Sequence, residues 1–576
     1  MKKMIMSIIL AASILSTTAC QSDTPSATTT ARTITYPTTT AWTEPIDDWD
    51  EYIPDFTEYS ETETTIGSQS PVFAPLHLSN KTQREKNQYN MNVKLDTKKH
   101  RLIISQDLKY VNNTDSDLED IYFNCIPAAY RSKGGGVDFK SITSDGQELH
   151  MENVKETVYK LSLGKELKKG ESVDLKMEYT VSIPKIANRF GYLKNSYNLG
   201  NFIATPAMHE NGEWLVQPYI DIGDAFYTEI ADYHVKLEVP EGYKICASGT
   251  LKDGIYEALD MRDFAFSTAD DLQELNEEFE DCDIHVYYKE SCKYQAETVM
   301  RAAKESLALY NNSCGIYPYE TLNLMLCSVA SDIGGMEYPG MILMQAHEEQ
   351  EKKFELANGH ITYEEFKNYM NKLIKQGKEL NFSIVTDVDG NPAPDDEQLK
   401  SIISETNSLA ICTAHEIAHQ WFYGIVGNDE IRHAWLDEGM ARFLENYYFD
   451  MCLHDSPLGR QGLDSLKESD KYFHGKYNGT AEGDMNPDLN DSIYDFKNQP
   501  MDYWDIYDKG AALIYGLYSK FGEARFFSLL RDYVTTFGFS EVDPQEFQDF
   551  WNKQEDCSEL FKVYLSSPAS GPEGNT

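Results

Sequence analysis

The sequence is poor in basic residues relative to acidic ones. It contains 51 Lys and Arg residues against 94 Asp and Glu residues, and its formal net charge is -43. Affinity for nucleic acids depends on Lys and Arg side chains that displace counterions from phosphates. This excess of negative charge therefore argues against a nucleic-acid-binding protein. A soluble, self-repelling surface is the simpler explanation of the charge.

The sequence also lacks any C-x-x-C pair. Apart from Cys20, nine cysteines remain, and they are scattered along the chain and odd in number. This pattern argues against a cysteine-based zinc site and against a redox motif. We expect most of these cysteines to be small, buried, apolar side chains.

The apolar run at the N-terminus, Met4 to Leu15, is too short for a membrane-spanning helix. Lys2 and Lys3 precede this run and small residues lead from it to Cys20, which is the pattern of an export signal. A cysteine at the cleavage point resembles the bacterial lipobox. We therefore expect residues 1–20 to be a lipoprotein-type signal peptide, with Cys20 as a lipid anchor on the outer side of the cell membrane. A plain secretory signal is the alternative.

The length of 576 residues predicts two or three domains. Residues 21–75 are rich in Thr, Pro and acidic residues without apolar periodicity, which indicates a disordered linker. Residues 76–282 are predicted to form a β-rich domain, and residues 283–576 a mainly helical one. A polar segment at 347–404 interrupts the helical part. Its "DVDGNPAPDD" turn lacks the glycine of a calcium loop, because Pro392 stands there.

Alternation and helical spacing support this division. "VDLKMEYTV" and "YHVKLEVP" alternate apolar and polar residues, as half-buried strands do. "QAETVMRAAKESLALYNN" has apolar residues at helical spacing, whereas "LNLMLCSV" reads as a strand within the helical part.

The stretch "TAHEIAHQWFYGIVGN" contains two histidines four residues apart. We predict one helix here, with Asn407 or Ser408 as its N-cap and Gly424 near its end. His415 and His419 then lie one turn apart on the same face and can both bind one zinc ion. An ordinary buried helix is the alternative to a metal site.

A catalytic zinc site needs a third protein ligand. Glu438, in "HAWLDEGMARFLE", follows His419 after eighteen residues and would lie on a second helix packed on the first. A metzincin site is excluded, because its third histidine would fall at Ile425. A His, His, Glu site remains, with Glu416 placed to act on a water at the metal without being a ligand.

Two further motifs accompany the histidine helix. "HEIAH" is followed by "WLDEG", "GGMEYPG" occupies Gly334 to Gly340, and "YDKG" begins at Tyr507, 69 residues after Glu438. Together these motifs resemble those of the zinc aminopeptidases of the aminopeptidase N family, which also contains leukotriene hydrolase. The resemblance covers about Leu76 to the C-terminus. It implies an α+β, multidomain fold, with an all-β N-terminal domain followed by a thermolysin-like, mainly helical catalytic domain. We expect a bacterial lipoprotein form that lacks the family's C-terminal helical domain.

The resemblance also implies the roles of the residues. It implies one Zn²⁺ per chain, a general base that activates zinc-bound water, a tyrosine that stabilises the oxyanion, and a glutamate that binds the free N-terminus of a peptide. The implied residues are His415, His419 and Glu438 for the metal, Glu416 and Tyr507 for catalysis, and Gly334, Gly335, Met336 and Glu337 for substrate binding.

Simpler roles compete with some of these assignments. Glu337 could be a surface carboxylate, and Tyr507 is one of 37 tyrosines. Asp437 either orients a ligand histidine or caps the following helix, and the cap is favoured. His433 matches no family role. At the level of function, an aminopeptidase is expected, and the alternatives are a zinc endopeptidase with an open cleft and a non-catalytic, peptide-binding surface lipoprotein.

The anchor prediction is tested by Cys20→Ser. This change removes the thiol that would carry the lipid, so the protein should move from the membrane fraction to a soluble fraction, as followed by immunoblotting of fractionated cells. A wild-type chain that is already soluble and cleaved at another position would contradict the prediction.

Overall fold

The computed structural model describes residues 85–329, 334–346, 396–453, 462–483 and 485–566, and for residues 396–406 the backbone alone. The described residues belong to one compact unit. The predicted signal peptide and lipid anchor, the predicted linker at 21–75, residues 387–395 of the "DVDGNPAPDD" turn and most of the 347–404 segment lie outside the described residues.

The first part of the described chain is built from strands, which confirms the predicted β-rich region. Its largest sheet has eight strands in the order β16-β17-β14-β1-β2-β8-β4-β5, and two four-stranded sheets, β15-β18-β10-β9 and β11-β3-β7-β6, accompany it. The strands are β1 Asn87–Asp96, β2 Arg101–Val111, β3 Leu118–Asn124, β4 Gly136–Ser144, β5 Gln147–Glu148, β6 His150–Lys155, β7 Val158–Leu167, β8 Ser172–Ser182, β9 Phe190–Leu193, β10 Ser196–Leu199, β11 Thr205–Pro206, β12 His209–Glu210, β13 Glu213–Trp214, β14 Ala231–Glu238, β15 Lys244–Ala247, β16 Thr250–Lys252, β17 Ile255–Met261 and β18 Phe266–Ala269.

The alternating pattern of β8 matches its burial. Val173, Leu175, Met177 and Tyr179 are buried, while the polar residues between them are exposed. β8 pairs antiparallel with β2, where Leu102 and its apolar neighbours at every second position face the same core. Since successive side chains point to opposite faces of a strand, this sheet has one apolar face against the core.

A five-stranded sheet begins the helical part. Its strands are β19 Leu272–Phe279, β20 Cys282–Lys289, β21 Thr321–Cys327, β22 Gly335–Met336 and β23 Met341–Gln345. They lie in the order β19-β20-β21-β23-β22. Strands from both sides of the predicted boundary at 282 therefore pair in one sheet. β22 is its last strand and pairs antiparallel with β23 alone among the described strands. One edge of β22 consequently faces away from the sheet.

Helices follow, as the periodicity predicts. None of the described helices combines the length and apolarity that crossing a membrane would need. They are α1 Lys293–Cys314, α2 Asp396–Ala418, α3 Glu430–His433, α4 Trp435–Cys452, α5 Gly462–Tyr477, α6 Asp505–Phe521, α7 Glu523–Phe537, α8 Pro544–Gln554 and α9 Ser558–Leu565, with 3-10 turns at Ile126–Lys133, Glu290–Cys292, Ile493–Asn498 and Pro500–Trp504, and a short parallel pair of β24 Val426–Gly427 with β25 Ser540–Glu541.

The predicted bounds of the histidine helix are wrong. α2 begins at Asp396, so neither Asn407 nor Ser408 is its N-cap, and Asn407 lies fully buried in the helix interior. The helix ends at Ala418 rather than near Gly424. Local propensity favoured a cap at Asn407, but packing in the core overrides propensity of this size.

All nine cysteines after Cys20 lie among the described residues. Seven are buried, and Cys412 and Cys452 are partly exposed. The expectation of small buried apolar side chains holds for most of them.

The glycines of two sequence motifs lie in direct contact. Gly439 of "WLDEG" is in α4, and Gly510 of "YDKG" is in α6. A Cβ atom on Gly439 would lie 2.8 Å from the carbonyl carbon of Gly510, which is closer than real Cβ contacts. The two backbones can approach this closely only without side chains. This contact brings Glu438, one residue before Gly439, next to Tyr507 in the first turn of α6.

Gly439→Ala tests this contact, because the close approach of α4 and α6 reverses the expected direction of its effect on the free energy of unfolding. Alanine in a helix interior is usually more stable than glycine by about 0.5–1 kcal/mol. Here the added methyl group meets backbone atoms, so we expect a loss of about 1–3 kcal/mol, the usual scale of overpacking. Urea unfolding measures the difference. A stabilised variant would show that α4 and α6 separate freely.

Candidate functional site

Three predicted ligand side chains meet at the end of α2. The Nε2 atoms of His415 and His419 are 3.1 Å apart. Glu438, in the first turn of α4, places its Oε2 atom 3.2 Å from Nε2 of His415 and 3.3 Å from Nε2 of His419. Three donor atoms therefore surround one point.

These distances fit a zinc ion. Ligand atoms at about 2.1 Å from a tetrahedral zinc lie about 3.4 Å from one another. The observed separations of 3.1–3.3 Å match that spacing closely. Two imidazoles and one carboxylate are also the donor set of zinc sites that keep a position open for water.

The outer nitrogen of each imidazole has an orienting partner. Nδ1 of His419 is 3.0 Å from the carbonyl oxygen of Phe422, to which it donates when Nε2 is left free for a metal. Nδ1 of His415 lies 2.9 Å from Oε2 of Glu445, an ion-pair contact rather than a well-aligned hydrogen bond. Such partners fix the ring orientation and leave both Nε2 lone pairs directed at the shared point.

The prediction from sequence missed Glu445. It lies seven residues after Glu438, on the same face of α4 two turns later, and that spacing was the available signal. Nη1 of Arg442 is 2.5 Å from Oε1 of Glu445, and its Nε donates to Asp508 at 3.1 Å. Arg442 therefore positions the carboxylate of Glu445, which in turn contacts His415.

The charges around the ligands favour a cation at this point. Burial lowers the pKa of His415, but its contacts with the Glu438 and Glu445 carboxylates outweigh burial and raise it to about 9. Burial raises the pKa of Glu438, yet its attraction to His419 and its hydrogen bonds to both imidazoles bring it well below its usual range. Positive charge is stabilised here, whether a metal ion or protons supply it.

Glu416 lies beside the ligands without joining them. It is 5% exposed, and its Oε2 has no hydrogen-bond donor within the described part of the chain. Burial raises its pKa to about 7, against the attraction of the two imidazoles. A carboxyl group with this pKa can accept and return a proton near neutral pH.

The predicted glycines make room for these side chains. A Cβ atom on Gly335 would lie 2.5 Å from the carboxylate of Glu416, and one on Gly334 would lie 2.8 Å from the sulfur of Cys412. The strand β22 can therefore pass over α2 at Glu416 only because it lacks side chains there.

Glu337 follows β22 and reaches the other side of the ligands. Its carboxylate lies within 4.8 Å of donor atoms of His419 and Asp437. It is 4% exposed, and Oε1 has no hydrogen-bond donor among the residues that the structure describes. Burial raises the pKa of Glu337 well above its usual value, and the neighbouring Asp224 carboxylate adds to this. A buried carboxylate with a free oxygen is suited to an ammonium ligand.

Met336 and Tyr338, the neighbours of Glu337 in the motif, contact residues of the β-rich part. Met336 is fully buried, and its sulfur lies 3.0 Å from Nη1 of Arg189. The hydroxyl of Tyr338 donates to Oδ1 of Asn201 at 2.7 Å. A Cβ atom on Gly200 would lie 1.8 Å from that hydroxyl, so glycine there makes room for the Tyr338 side chain.

Tyr507 closes the site from α6. Its hydroxyl donates to Oε1 of Glu438, and its ring stacks with His415 at a centroid distance of 6.2 Å. The opposite face of the ligand carboxylate is thus occupied by a phenol. Trp504 is 39% exposed and packs against Tyr507 with ring centroids 5.0 Å apart.

The favoured interpretation of Asp437 as a helix cap is wrong. α4 starts at Trp435 with Ala434 as its N-cap, and no side chain caps it. Asp437 is instead buried and accepts a hydrogen bond from Asn428 at 2.7 Å, while its other oxygen lies 3.8 Å from Nδ1 of His419. The cap prediction failed because α4 begins three residues earlier than a cap at Asp437 requires.

The comparisons with known proteins agree with this arrangement. Residues 393–564 match the peptidase family M1 domain. This segment includes α2, α4 and α6, which carry the three ligands and Tyr507. The expected relationship to the zinc aminopeptidases of the aminopeptidase N family is thereby confirmed.

Relatives by sequence match the same part of the chain. Aminopeptidase M1-D of Oryza sativa subsp. japonica is 31% identical over 164 residues, which are 28% of this chain and 17% of the rice protein. Leucine aminopeptidase 2 of Aspergillus clavatus is 28% identical over 155 residues, 26% of this chain and 24% of that protein. The chain therefore spans about a fifth of the length of these M1 relatives.

The fold extends beyond that segment. An M1 zinc metallopeptidase mutant from Deinococcus radiodurans aligns with a TM-score of 0.53 at 14% identity, covering 85% of this chain and 96% of the other. The same Deinococcus enzyme in a complex with a Tyr-Ser-Ala substrate aligns with a TM-score of 0.51 at 15% identity, covering 85% and 95%. The predicted α+β fold, with a β-rich part before a helical M1 part, is confirmed.

The M1 ligand set is tested by zinc content. His415→Ala and Glu438→Ala each remove one of three donors, so the purified variants should lose most of the zinc of the wild type, which should hold about one ion per chain. Glu416→Gln should retain zinc, because Glu416 is not among the donors. His433→Ala is the matched control, a nearby histidine outside the set, and should also retain zinc. Elemental analysis gives the ratio, and loss of zinc from Glu416→Gln equal to that of His415→Ala would refute this ligand set.

Proposed function

We propose that this protein is a zinc aminopeptidase that hydrolyses the first peptide bond of peptides with a free N-terminus. The observation that carries the proposal is the position of two carboxylates, Glu416 and Glu337, next to one triad of metal donors. Each has one oxygen that no donor among the described residues contacts. One carboxylate suits proton transfer, and the other suits an ammonium group. The M1 domain and the aminopeptidase relatives support the same activity.

Zinc, when bound, supplies a Lewis acid that polarises the carbonyl group of the scissile bond. Glu416 takes a proton from the attacking water and returns it to the leaving amine, for which a pKa of about 7 is suitable. Tyr507 holds its phenolic proton at Oε1 of Glu438 and can donate it to the oxyanion that forms beside this carboxylate.

Glu337 would determine that the enzyme removes N-terminal residues. Its free Oε1 accepts a charge-assisted hydrogen bond from the substrate's ammonium group, which fixes the distance from the chain end to the scissile bond. The outer edge of β22 offers backbone groups along which the substrate could lie as an added strand. Residues Gly334 and Gly335 carry no side chain to obstruct that edge.

The proposal is tested with free and N-acetylated forms of one peptide. The tripeptide Tyr-Ser-Ala, which the Deinococcus relative binds, is a suitable first probe. The free peptide should be cleaved and the acetylated one should be a poor substrate. Glu337→Ala should lower kcat/KM for the free peptide by an amount equal to about 1.5–3 kcal/mol, the scale of a hydrogen bond to a charged group.

Two variants make the result specific. Glu337→Gln keeps the shape of the side chain and removes its charge, so it should resemble Glu337→Ala for the free peptide. Glu416→Gln should lose about 100- to 10,000-fold in turnover on every substrate. Equal cleavage of free and acetylated peptides, unaffected by Glu337→Ala, would favour the endopeptidase. No cleavage by the zinc-loaded wild type, with peptide still bound, would favour the non-catalytic binder.

A further inference from the structure

A buried arginine of the β-rich part reaches the turn that follows the histidine helix. Arg262 directly follows β17 and is 2% exposed. Its Nε donates to the carbonyl oxygen of Tyr423 at 2.7 Å, and its Nη2 donates to the carbonyl oxygen of Ser540 at 2.7 Å. Its Nη1 donates to Thr228 at 3.0 Å and to Glu541 at 2.9 Å. One guanidinium group thus joins three separate chain segments to its own.

Tyr423, the residue that Arg262 contacts, has a strained backbone. Its φ is 107°, in a region that bulky side chains rarely adopt, and it is 3% exposed. Both its polar backbone groups are held: its N–H donates to Val426 at 2.8 Å, and its carbonyl accepts from Arg262. A strained conformation persists only where the surroundings determine it.

The strained residue lies next to the group that orients His419. The carbonyl oxygen of Phe422, which is 3.0 Å from Nδ1 of His419, belongs to the same peptide group as the N–H of Tyr423. Rotation about φ of Tyr423 would therefore turn this carbonyl away from the imidazole. Arg262 binds the carbonyl of Tyr423, and Val426 binds its N–H. These two hydrogen bonds restrict the rotation and so fix the direction of the Phe422 carbonyl.

The guanidinium also fits closely against this turn. A Cβ atom on Gly427 would lie 2.1 Å from Cζ of Arg262. Gly427 is in β24, whose partner β25 contains Ser540 and Glu541, both of which accept from Arg262. The turn from 419 to 427 is therefore enclosed by the arginine on one side.

We propose that Arg262 is a positioning residue for the metal centre, acting on His419 through Tyr423 and the carbonyl of Phe422. The inference rests on zinc binding as proposed above. His415 differs, because its orienting chain of Glu445, Arg442 and Asp508 lies entirely in the helical part. The β-rich part thus contributes to one ligand of the metal site without touching the metal.

The test measures zinc affinity rather than turnover. Arg262→Gln removes the guanidinium, and we expect zinc binding, measured by competition with a chromogenic chelator, to weaken about 10- to 100-fold, the usual effect of losing a group that orients a ligand. Arg262→Lys keeps one donor and the charge, so it should recover part of this loss. The absorption spectrum of the cobalt-substituted protein should change with Arg262→Gln, since the geometry at His419 changes.

The matched control is Tyr319→Phe. The Tyr319 hydroxyl donates to the carbonyl of Asp260 at 2.8 Å, so it also joins the helical part to the segment around Arg262. Within the described part of the chain, this hydroxyl makes no hydrogen bond to the 419–427 turn. Its zinc affinity should equal that of the wild type, whatever its effect on stability. Thermal unfolding of the metal-free proteins records the purely structural loss of each variant.

The outcomes separate this inference from the proposed function. If Arg262→Gln lowers the melting temperature of the metal-free protein but binds zinc as the wild type does, Arg262 is structural and the inference is wrong. If Arg262→Gln does not fold, an Arg262→Lys protein that folds with wild-type zinc affinity and cobalt spectrum overturns it equally. A wild-type chain that binds no zinc would overturn the proposed function itself.

Discussion

Several ionisable side chains are buried together in one small volume at the candidate site. Their burial constrains the packing and the hydrogen bonds of the surrounding elements. Four carboxylates and one imidazole are buried here, Glu337, Glu416, Asp437, Glu438 and His419, and the side chain of His415 is only 13% exposed. Burying charges is costly unless they are paired with opposite charge or hydrogen-bonded. A divalent cation among the donors balances this excess of carboxylate. Two further carboxylates lie beside the ligands. Glu416 is suited to proton transfer, and Glu337 is suited to binding an ammonium group.

This arrangement needs backbones that approach more closely than side chains normally allow. α4 meets α6 at Gly439 and Gly510, and β22 passes over Glu416 at Gly335. In each case a methyl group would collide with the backbone or with the carboxylate of Glu416. The glycines of the three motifs thus serve packing as much as conformational freedom, because they determine how near Glu438, Tyr507 and Glu416 come to one another.

The β-rich part is joined to the site rather than merely attached to it. Arg189 places its guanidinium against Met336 and pairs with Asp224, and Tyr338 donates to Asn201. Both contacts hold the segment that carries Glu337. With Arg262 at the other end of the site, residues outside the 393–564 segment support two sides of the candidate centre. The 393–564 segment therefore depends on contacts with residues that lie outside it.

Features that follow from residue spacing along one helix or strand could be predicted from the sequence. Two histidines four residues apart must share a helical face, and alternation in "VDLKMEYTV" must give one buried face of a strand. Matching three motifs in order added Glu438, Tyr507 and Glu337, which the fold brings to the same place. Tertiary structure alone decided where α2 begins, that Asp437 binds Asn428 instead of capping α4, and that Glu445 and Arg262 support the two histidines. These outcomes depend on contacts between residues distant in the chain, and local periodicity carries no information about which distant residues will meet.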